Sequence, residues 1–428
     1  MLGIVGAGQL ARMTCQAASV LGIHTVVLAA RPDDAAVHAA GEVLVARPSD
    51  EHALRALAAR CDVVTFDHEQ VDLELLDALT RDGTTLRPGV ETLRVAVDKA
   101  EMRTKLSAAG LPVPRFEVLG PSGAGAGAGA AAAADACVGD GDGGSAGARS
   151  LEQLVEAIEA FAARGGWPVV VKAARGGYDG RGVWVVPDAE AARVVCEYAV
   201  RAGRPLLVEA LVDLDAELAA VVARGPDGSF VAWPPVETAQ VDGVCREVRY
   251  PGHVDPRLAA EAVALAHDVA TAVGAVGVLA VELFATDGRL LVNEIAARPH
   301  NSAHWTIEGS TTSQFENHVR AVLGLPLGDT CPVAPNVVSV NVFGVAEGGG
   351  PSLCGGLPAA LAVPGAHLHL YGKAARPGRK LGHVTVCGED PSNVRARAWA
   401  AARTLGTPVP DSIGVDLPGA MGSGDGRA

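Results

Sequence analysis

Short apolar segments alternate with helix-forming segments through the first 66 residues, and this alternation limits the fold more than any other feature. The alternation predicts strands at residues 2–6, 24–30, 42–46 and 62–66, with helices after the first strand and at residues 51–59. Strands separated by helices form a parallel sheet with right-handed crossovers. Because the carboxyl ends of parallel strands share the edge at which ligands bind, we expect the loops at residues 6–10 and 66–70 to lie side by side.

The chain is long enough for two or three domains, since 428 residues exceed what one hydrophobic core supports. We predict an α/β protein with a Rossmann-like parallel-sheet domain at residues 1–97, a second region of helices and strands at residues 98–330, and a small β-rich domain at residues 331–418. Residues 120–150 are rich in Gly and Ala and have no apolar period. We therefore expect a disordered surface insertion there, without a role in a site.

Composition and charge exclude several classes of protein. The net charge of -14 disfavours general nucleic-acid binding, because phosphate backbones select basic surfaces. The eight cysteines form no CxxC pair and no zinc-like cluster with histidines, which indicates reduced thiols. The N-terminus has no basic leader, and no run of about 18 apolar residues could span a membrane. We expect a cytoplasmic protein with small-molecule partners and no nucleic-acid or membrane partner.

The segment GAGQLA at residues 6–11 fits a glycine-rich pattern that follows a strand and opens a helix. Glycines there let the backbone approach an anion at the helix N-terminus, as in dinucleotide-binding folds. Such folds usually place an acid at the end of the second strand, but here the chain reads Ala30 and then Arg31. A nucleotide cofactor, a tight turn and another anion site therefore all remain possible interpretations.

The segment VVVKAARGGYDGRG at residues 169–182 is more specific. Lys172 ends an apolar strand, so its ammonium group is expected to project into a cleft as a point charge for phosphate oxygens. The glycines that follow make a loop rich in exposed N–H groups, which could close over phosphates and exclude water. The alternative is a glycine hairpin with a lysine that reaches solvent.

A third segment, at residues 278–295, predicts a hairpin that carries Glu282 on one strand and Asn293 and Glu294 on the other. Carboxylate and amide oxygens suit Mg²⁺, which commonly also binds substrate phosphates. A two-residue turn would place the two carboxylates on opposite faces, so we predict a three-residue loop, 286–288, that pairs Ala285 with Arg289. Two solvated acids are the alternative, but both lie in very apolar strands, where an unpaired carboxylate is costly.

Polar residues follow this hairpin directly, at Arg298, His300, Asn301 and Ser302. They form a dense set of donors beside the inferred metal, able to hold an anion or act on a reacting group. A second basic cluster, at residues 371–380, is either an anion site or a solvated turn.

Residues 209–212 follow a strand and could form a hinge that reads an adenine edge, with Glu217 accepting hydrogen bonds from ribose hydroxyls. Together with Lys172, the glycine loop and the acidic hairpin, they form an ATP site. The site is neither a Walker A loop nor a kinase set, because the GxxxxGK[ST], HRD and DFG motifs are absent from the sequence.

The motifs GIVGAGQLARM, FDHEQV, KAARGGYDGRG, NEIAARPHNSAHWT and YGKAARPGRKLGHV resemble those of the N5-carboxyaminoimidazole ribonucleotide synthases of purine biosynthesis, an ATP-grasp family. The resemblance covers nearly the whole chain and implies that residues 98–330 form an ATP-grasp domain of two α+β lobes. It also implies a homodimer that uses ATP, Mg²⁺ and bicarbonate to carboxylate 5-aminoimidazole ribonucleotide, releasing ADP and phosphate.

The resemblance assigns roles to particular residues. It implies that ATP contacts Lys99, Lys172, Gly177, Tyr178, Asp179, Gly180, Arg181, Gly182, Val183, Glu209, Ala210, Leu211, Val212, Glu217, Gln240, Asn293 and Glu294. It implies that the acceptor and activated bicarbonate contact Gln9, Glu69, Tyr178, Asp179, Arg181, Arg298, His300, Asn301, Ser302, Lys373, Arg379 and Lys380. Mg²⁺ would be held by Glu282 and Glu294, and the catalytic set would be Arg298 with His300 or Glu69 as the base.

The sequence departs from the family pattern at three places. Gln240 stands where the family often has a histidine, Ala297 stands where it has a proline, and the Gly/Ala-rich insertion is extra.

Three other functions remain as alternatives. The first is another ATP-grasp ligase or carboxylase, such as a formate-dependent glycinamide ribonucleotide transformylase or a biotin carboxylase. The others are a nicotinamide-dependent oxidoreductase and an inactive nucleotide-binding regulator.

Overall fold

The computed structural model describes residues 1–119, 149–176, 182–345 and 353–415, and gives only the backbone for Leu353 and Cys354. The predicted Gly/Ala-rich insertion therefore lies almost wholly outside the described residues. The described chain builds three β-sheets with helices packed on them. Among these residues, no helix combines the length and the apolar character needed to cross a membrane.

The N-terminal sheet is parallel, as predicted. Its strands, β1 (Leu2–Val5), β2 (Thr25–Ala29), β3 (Glu42–Val45) and β4 (Val63–Phe66), lie in the order β3-β2-β1-β4. Strands β1, β2 and β4 are buried along their whole length, which explains why their sequences read as continuous apolar runs. The helices of this region are α1 (Gln9–Val20), α2 (Glu51–Ala58), α3 (Leu73–Arg81) and α4 (Val90–Val97).

A small four-stranded sheet follows, with the order β5-β8-β6-β7 and antiparallel pairing throughout. Its elements are α5 (Lys99–Ala108), β5 (Phe116–Leu119), α6 (Leu151–Ala163), β6 (Val169–Ala173), β7 (Val183–Val186), α7 (Ala189–Arg201) and β8 (Leu206–Ala210). Helix α6 begins with a capping box in which Ser150 and Gln153 satisfy each other's backbone N–H groups. Helices α6 and α7 pack against the sheet through Ile158, Phe161 and Cys196.

The third sheet has nine strands and continues into the C-terminal region. Its strands are β9 (Ala216–Arg224), β10 (Phe230–Ala232), β11 (Val236–Val241), β12 (Val244–Tyr250), β13 (Gly277–Thr286), β14 (Arg289–Ala296), β15 (Asn336–Phe343), β16 (Ala366–Leu370) and β17 (Lys380–Gly388). The order is β14-β13-β9-β11-β12-β15-β17-β16, with β10 beside β9. The predicted β-rich C-terminal region therefore shares a sheet with the preceding lobe, joined where β12 pairs with β15.

The helices that accompany this sheet are α8 (Pro256–Ala272), α9 (Thr306–Gly309), α10 (Gln314–Leu323), α11 (Leu353–Leu361) and α12 (Pro391–Thr404). The sequence analysis missed α12 because its apolar residues are mostly alanine, which gives a weak helical period. Its start is nevertheless marked by Asp390 as N-cap and by Pro391 in the first turn. Trp399 of α12 is fully buried against the C-terminal strands.

Candidate active site

A cleft of about 2010 Å³ lies where the three sheets meet. It is lined by most of the predicted site residues: Gln9, Glu69, Lys99, Lys172, Val183, Glu209, Ala210, Leu211, Val212, Glu217, Gln240, Glu282, Asn293, Glu294, Arg298, His300, Asn301, Ser302 and Lys380. Gly182, Lys373 and Arg379 are described but do not line it. The predictions for Gly177, Tyr178, Asp179, Gly180 and Arg181 fall outside the described residues.

The GAGQLA segment is closed by an internal carboxylate. Asp67, which follows β4, accepts hydrogen bonds from the backbone N–H groups of Gly8 and Ala11, each at 2.7 Å. A Cβ atom on Gly8 would collide with Oδ2 of Asp67. The two loops thus lie at one sheet edge, as predicted, and the N-terminus of α1 already binds a negative charge. This arrangement disfavours a dinucleotide phosphate at α1, and with it the oxidoreductase alternative.

Lys172 is buried at the end of β6, and its ammonium group is held from two sides. Nζ lies 2.6 Å from Oε2 of Glu209 and donates to Oδ1 of Asn293 at 3.2 Å. Burial lowers the pKa of Lys172, and the Glu209 carboxylate opposes this effect. The lysine therefore connects the small sheet to β14 of the large one.

The predicted adenine hinge begins inside β8. The N–H of Ala210 donates a hydrogen bond to the backbone carbonyl of Arg115 at 2.9 Å, and the Glu209 side chain faces Lys172. Leu211, just after the strand, is exposed and lines the cleft. The backbone after Ala210 is thus the part available to a nucleobase. Glu217 lines the same cleft, where burial raises its pKa.

The two acidic residues of the hairpin face each other, although the predicted turn was wrong. Thr286 pairs with Arg289 around a two-residue Asp287-Gly288 turn in which both residues have positive φ, at 49° and 68°. Glu282 nevertheless pairs directly with Glu294, because Asn293 is an extra residue at a β-bulge. The bulge shifts the register by one residue and so returns both carboxylates to one face.

The carboxylate pair has the chemistry of a Mg²⁺ site. Burial raises the pKa of Glu282 to about 7, and repulsion from the neighbouring carboxylates Glu294 and Glu217 adds to this shift. Glu294 forms an ion pair with Lys99. No cluster of three or more His, Cys, Asp or Glu side chains suited to a metal occurs among the described residues. Two carboxylates completed by phosphate oxygens are, however, a usual arrangement for Mg²⁺.

Arg298 lies beside the pair and is fixed by Glu69 from the N-terminal region. Its Nε donates to Oε2 of Glu69 at 2.7 Å. Burial alone would lower the pKa of Arg298, but the carboxylates of Glu69, Asp67 and Glu294 together raise it. The N–H of Ala297 donates to the other carboxylate oxygen at 3.2 Å. Because a proline has no N–H, a proline at this position could not make this hydrogen bond.

His300 lies partly buried between the two halves of the site. Nδ1 lies 2.9 Å from Oγ of Ser302, and Nε2 lies 3.6 Å from Oε1 of Glu282. Burial, Arg298 and Lys380 lower the pKa of His300 to about 3. Its backbone is fixed by Gln314, whose amide accepts from the His300 N–H and donates to the His300 carbonyl, each at 2.8 Å.

The C-terminal basic residues are placed differently from one another. Lys380 at the start of β17 lines the cleft, and Lys373 donates to Oε1 of Gln9, which also lines it. Arg379 is partly exposed and donates to the carbonyl of Ala374 at 3.1 Å. Desolvation and the neighbouring Arg376 and Arg31 lower the pKa of Arg379.

Two residues that contact the predicted site residues were missed by the sequence analysis. Asp67 occurs in the quoted FDHEQV motif, but only the fold brings it to α1. Arg103 is 1% exposed and forms an ion pair with Glu209. Its position four residues after Lys99 on α5 was the available signal, because residues four apart share a helix face.

The small sheet, the large sheet and the cleft between them, with a buried lysine on one side and facing carboxylates on the other, define an ATP-grasp enzyme. A sequence model of the ATP-grasp domain matches residues 146–315, the ribonucleotide synthetase preATP-grasp domain matches residues 1–97, and the phosphoribosylaminoimidazole carboxylase C-terminal domain matches residues 337–397.

Individual relatives identify the family. The N5-carboxyaminoimidazole ribonucleotide synthase of Mycobacterium tuberculosis is 46% identical over 95% of this chain and 87% of its own length. The corresponding enzyme of Corynebacterium ammoniagenes is 37% identical over 95% of this chain and 92% of its own. The chain belongs to the N5-carboxyaminoimidazole ribonucleotide synthase family.

Solved structures of this family share the fold. The crystal structure of the Thermus thermophilus synthetase superposes with a TM-score of 0.78 at 33% identity, covering 95% of this chain and 99% of that one. The Aspergillus clavatus enzyme in complex with ADP and 5-aminoimidazole ribonucleotide gives a TM-score of 0.79 at 27% identity, covering 94% of this chain and 98% of that one. The predicted family and fold class are confirmed.

Proposed function

We propose that this protein is an ATP-dependent carbon–nitrogen ligase that joins bicarbonate to the exocyclic amine of 5-aminoimidazole ribonucleotide in purine biosynthesis. The products are N5-carboxyaminoimidazole ribonucleotide, ADP and phosphate. One observation supports this most directly: the Glu282–Glu294 pair and Lys172 share a cleft with the Arg298–Glu69 pair. A phosphoryl-transfer end and an anion-binding end would therefore lie within one cleft.

The phosphate end uses residues from both sheets. Lys172 and Lys99 supply positive charge for the triphosphate, and Glu282 and Glu294, with Asn293 beside them, are the residues that would hold Mg²⁺. When bound, Mg²⁺ would neutralise phosphate oxygens. A bicarbonate oxygen attacks the γ-phosphorus, the bond to ADP breaks, and carboxyphosphate forms.

The acceptor end lies between Glu69, Arg298 and the C-terminal basic residues. Arg298 is held in place by Glu69 and stabilises the negative charge of carboxyphosphate. The amine nitrogen of the acceptor forms a bond to the carboxyl carbon, whether of carboxyphosphate or of CO₂ released from it, and phosphate departs. Lys380 and Lys373, beside Gln9, would bind the ribose phosphate.

The amine must also lose a proton, and His300 or Glu69 would accept it. Both Glu69 oxygens already accept hydrogen bonds, and a pKa lowered to about 3 weakens the His300 ring as a base, so the two residues stay as alternatives. Water must be excluded while carboxyphosphate exists, and the segment at residues 177–183 is proposed to cover the phosphates. A cytoplasmic location and a homodimer are further proposals that rest on family membership.

Phosphate release measured with ATP, Mg²⁺ and bicarbonate, with and without 5-aminoimidazole ribonucleotide, tests the function. We expect release that requires bicarbonate and, in the presence of the acceptor, equals the amount of carbamate formed. Formate in place of bicarbonate, offered with glycinamide ribonucleotide, tests the transformylase alternative. Turnover with formate and none with bicarbonate would overturn the proposal, as would absence of ATP turnover under every condition.

A further inference from the structure

Three buried charges form a chain behind the phosphate end of the cleft. Arg103 on α5, Glu209 on β8 and Lys172 on β6 have side chains that are 1%, 2% and 8% exposed. One carboxylate oxygen of Glu209 binds Nε of Arg103, and the other lies 2.6 Å from Nζ of Lys172. Two cations thus share a single anion in a region that water barely reaches, which leaves one net positive charge.

Arg103 occupies a position that the reaction outlined above does not use. It does not line the cleft, so it cannot touch the nucleotide in this structure. Its Nη1 is buried and has no hydrogen-bond partner among the described residues. A guanidinium group is costly to bury, and a solvent-exposed ion pair would avoid that cost. Arg103 is buried and pairs with the same carboxylate, Glu209, that binds Lys172, so we expect it to have a function.

We propose that Arg103 is a positioning residue for ATP binding, which keeps the Glu209 carboxylate neutralised so that Lys172 can move its ammonium group onto the nucleotide phosphates. This inference rests on the proposed function. With Arg103 present, Glu209 retains one cation when Lys172 turns toward phosphate. Without Arg103, Lys172 is the one cation left beside Glu209, and its departure would leave a buried carboxylate uncompensated.

A second ion pair made by helix α5 supports this role. Lys99 lies one turn before Arg103 and pairs with Glu294 on β14 of the large sheet, while Arg103 reaches Glu209 of the small sheet. One face of α5 therefore contacts both walls of the cleft. Lys172 completes the connection across the cleft through its hydrogen bond to Asn293. Changes at Arg103 should consequently act on the phosphate end and leave the acceptor end intact.

The test is direct calorimetric binding of ADP with Mg²⁺ to the full-length protein and to Arg103→Met. We expect the Kd for ADP to rise by about tenfold or more in the variant, which corresponds to about 1.4 kcal/mol. The KM for ATP should rise in parallel, with the KM for the acceptor unchanged. Arg103→Lys should recover most of the affinity, because a lysine keeps the charge beside Glu209.

A double-mutant cycle with Glu209→Gln distinguishes this positioning role from a purely structural one. In the Glu209→Gln background no buried carboxylate needs neutralising, so adding Arg103→Met should change the ADP affinity much less than in the native protein. The double variant also removes both partners of the pair, which keeps the test available if Arg103→Met alone does not fold. Equal effects of Arg103→Met in the two backgrounds would show that it does not act through Glu209.

Arg395→Met provides a matched control outside the cleft. Arg395 binds the fully buried Glu247 through Nε, at 2.8 Å and 3.1 Å to the two oxygens. Its removal should lower stability without changing the Kd for ADP. If native protein binds ADP and Arg103→Met binds it equally well, the inference is wrong. If native protein fails to bind ADP at all, the proposed function itself is wrong.

Discussion

His318 joins two strands that lead to the active site, and the lowered pKa of its buried ring predicts a loss of stability in acid. Nδ1 accepts from the backbone N–H of Val278 on β13 at 3.1 Å, and Nε2 lies 2.9 Å from Oγ1 of Thr65 on β4. Strand β4 leads to Glu69, and β13 carries Glu282. Protonation of Nδ1 would set two N–H groups against each other, because a charged imidazole can only donate.

The size of the effect follows from the shifted pKa. Burial lowers the pKa of His318 from 6.5 to about 3. The unfolded chain therefore binds a proton below pH 6.5 that the folded protein does not, so stability falls as the pH falls through that value. At pH 5.0 this single residue costs about 2 kcal/mol of unfolding free energy relative to pH 7.5. The cost at pH 5.0 hardly changes if the folded pKa is one unit higher.

The assay compares urea unfolding of the native protein and His318→Asn at pH 7.5 and 5.0. The variant keeps an acceptor near Val278 and should be less stable at pH 7.5, but should lose about 2 kcal/mol less between the two pH values. His52→Asn, at an exposed position, serves as the control and should leave the pH dependence unchanged. Equal pH dependence in the native protein and His318→Asn would refute the reasoning, as would an NMR titration of the His318 ring near pH 6.5.

Two further predictions concern the site. Glu294→Gln should lower bicarbonate-dependent ATP turnover by at least about a hundredfold, because one of the two facing carboxylates is lost. The circular dichroism spectrum should stay unchanged. Unaltered turnover would show that these residues do not hold the metal. Lys380→Ala should raise the KM for the acceptor by about tenfold, the contribution of one charge-assisted hydrogen bond, with a smaller change for ATP; a larger rise for ATP would separate the basic cluster from the acceptor.

The sequence predicted the local elements well where an apolar run was bounded by glycine or a charged residue. The strands of the N-terminal sheet lie within one residue of their predicted bounds. Asp287 and Gly288 both adopt a positive φ, which allowed a shorter turn than the predicted one. The hairpin register could not be predicted, because the bulge at Asn293 depends on how β13 and β14 pack.

Side-chain pairings between residues far apart in the chain could not be predicted from sequence patterns. Glu69 and Arg298 are 229 positions apart, and Lys172 and Asn293 are 121 apart. The sequence named all four as site residues, Glu69 through the family resemblance alone, but it did not identify them as partners. Arg103 carries no motif at all, and only its burial beside Glu209 singles it out.

The sequence by itself determined the order of strands and helices, the glycine turns and the kinds of polar residue that follow apolar strands, because each of these depends on neighbours along the chain. The tertiary structure alone decided which charges are buried, which carboxylate meets which cation, and that the acids of one hairpin face each other. These features depend on solvent exclusion and on distances between elements, and both exist only once the three sheets have packed around the cleft.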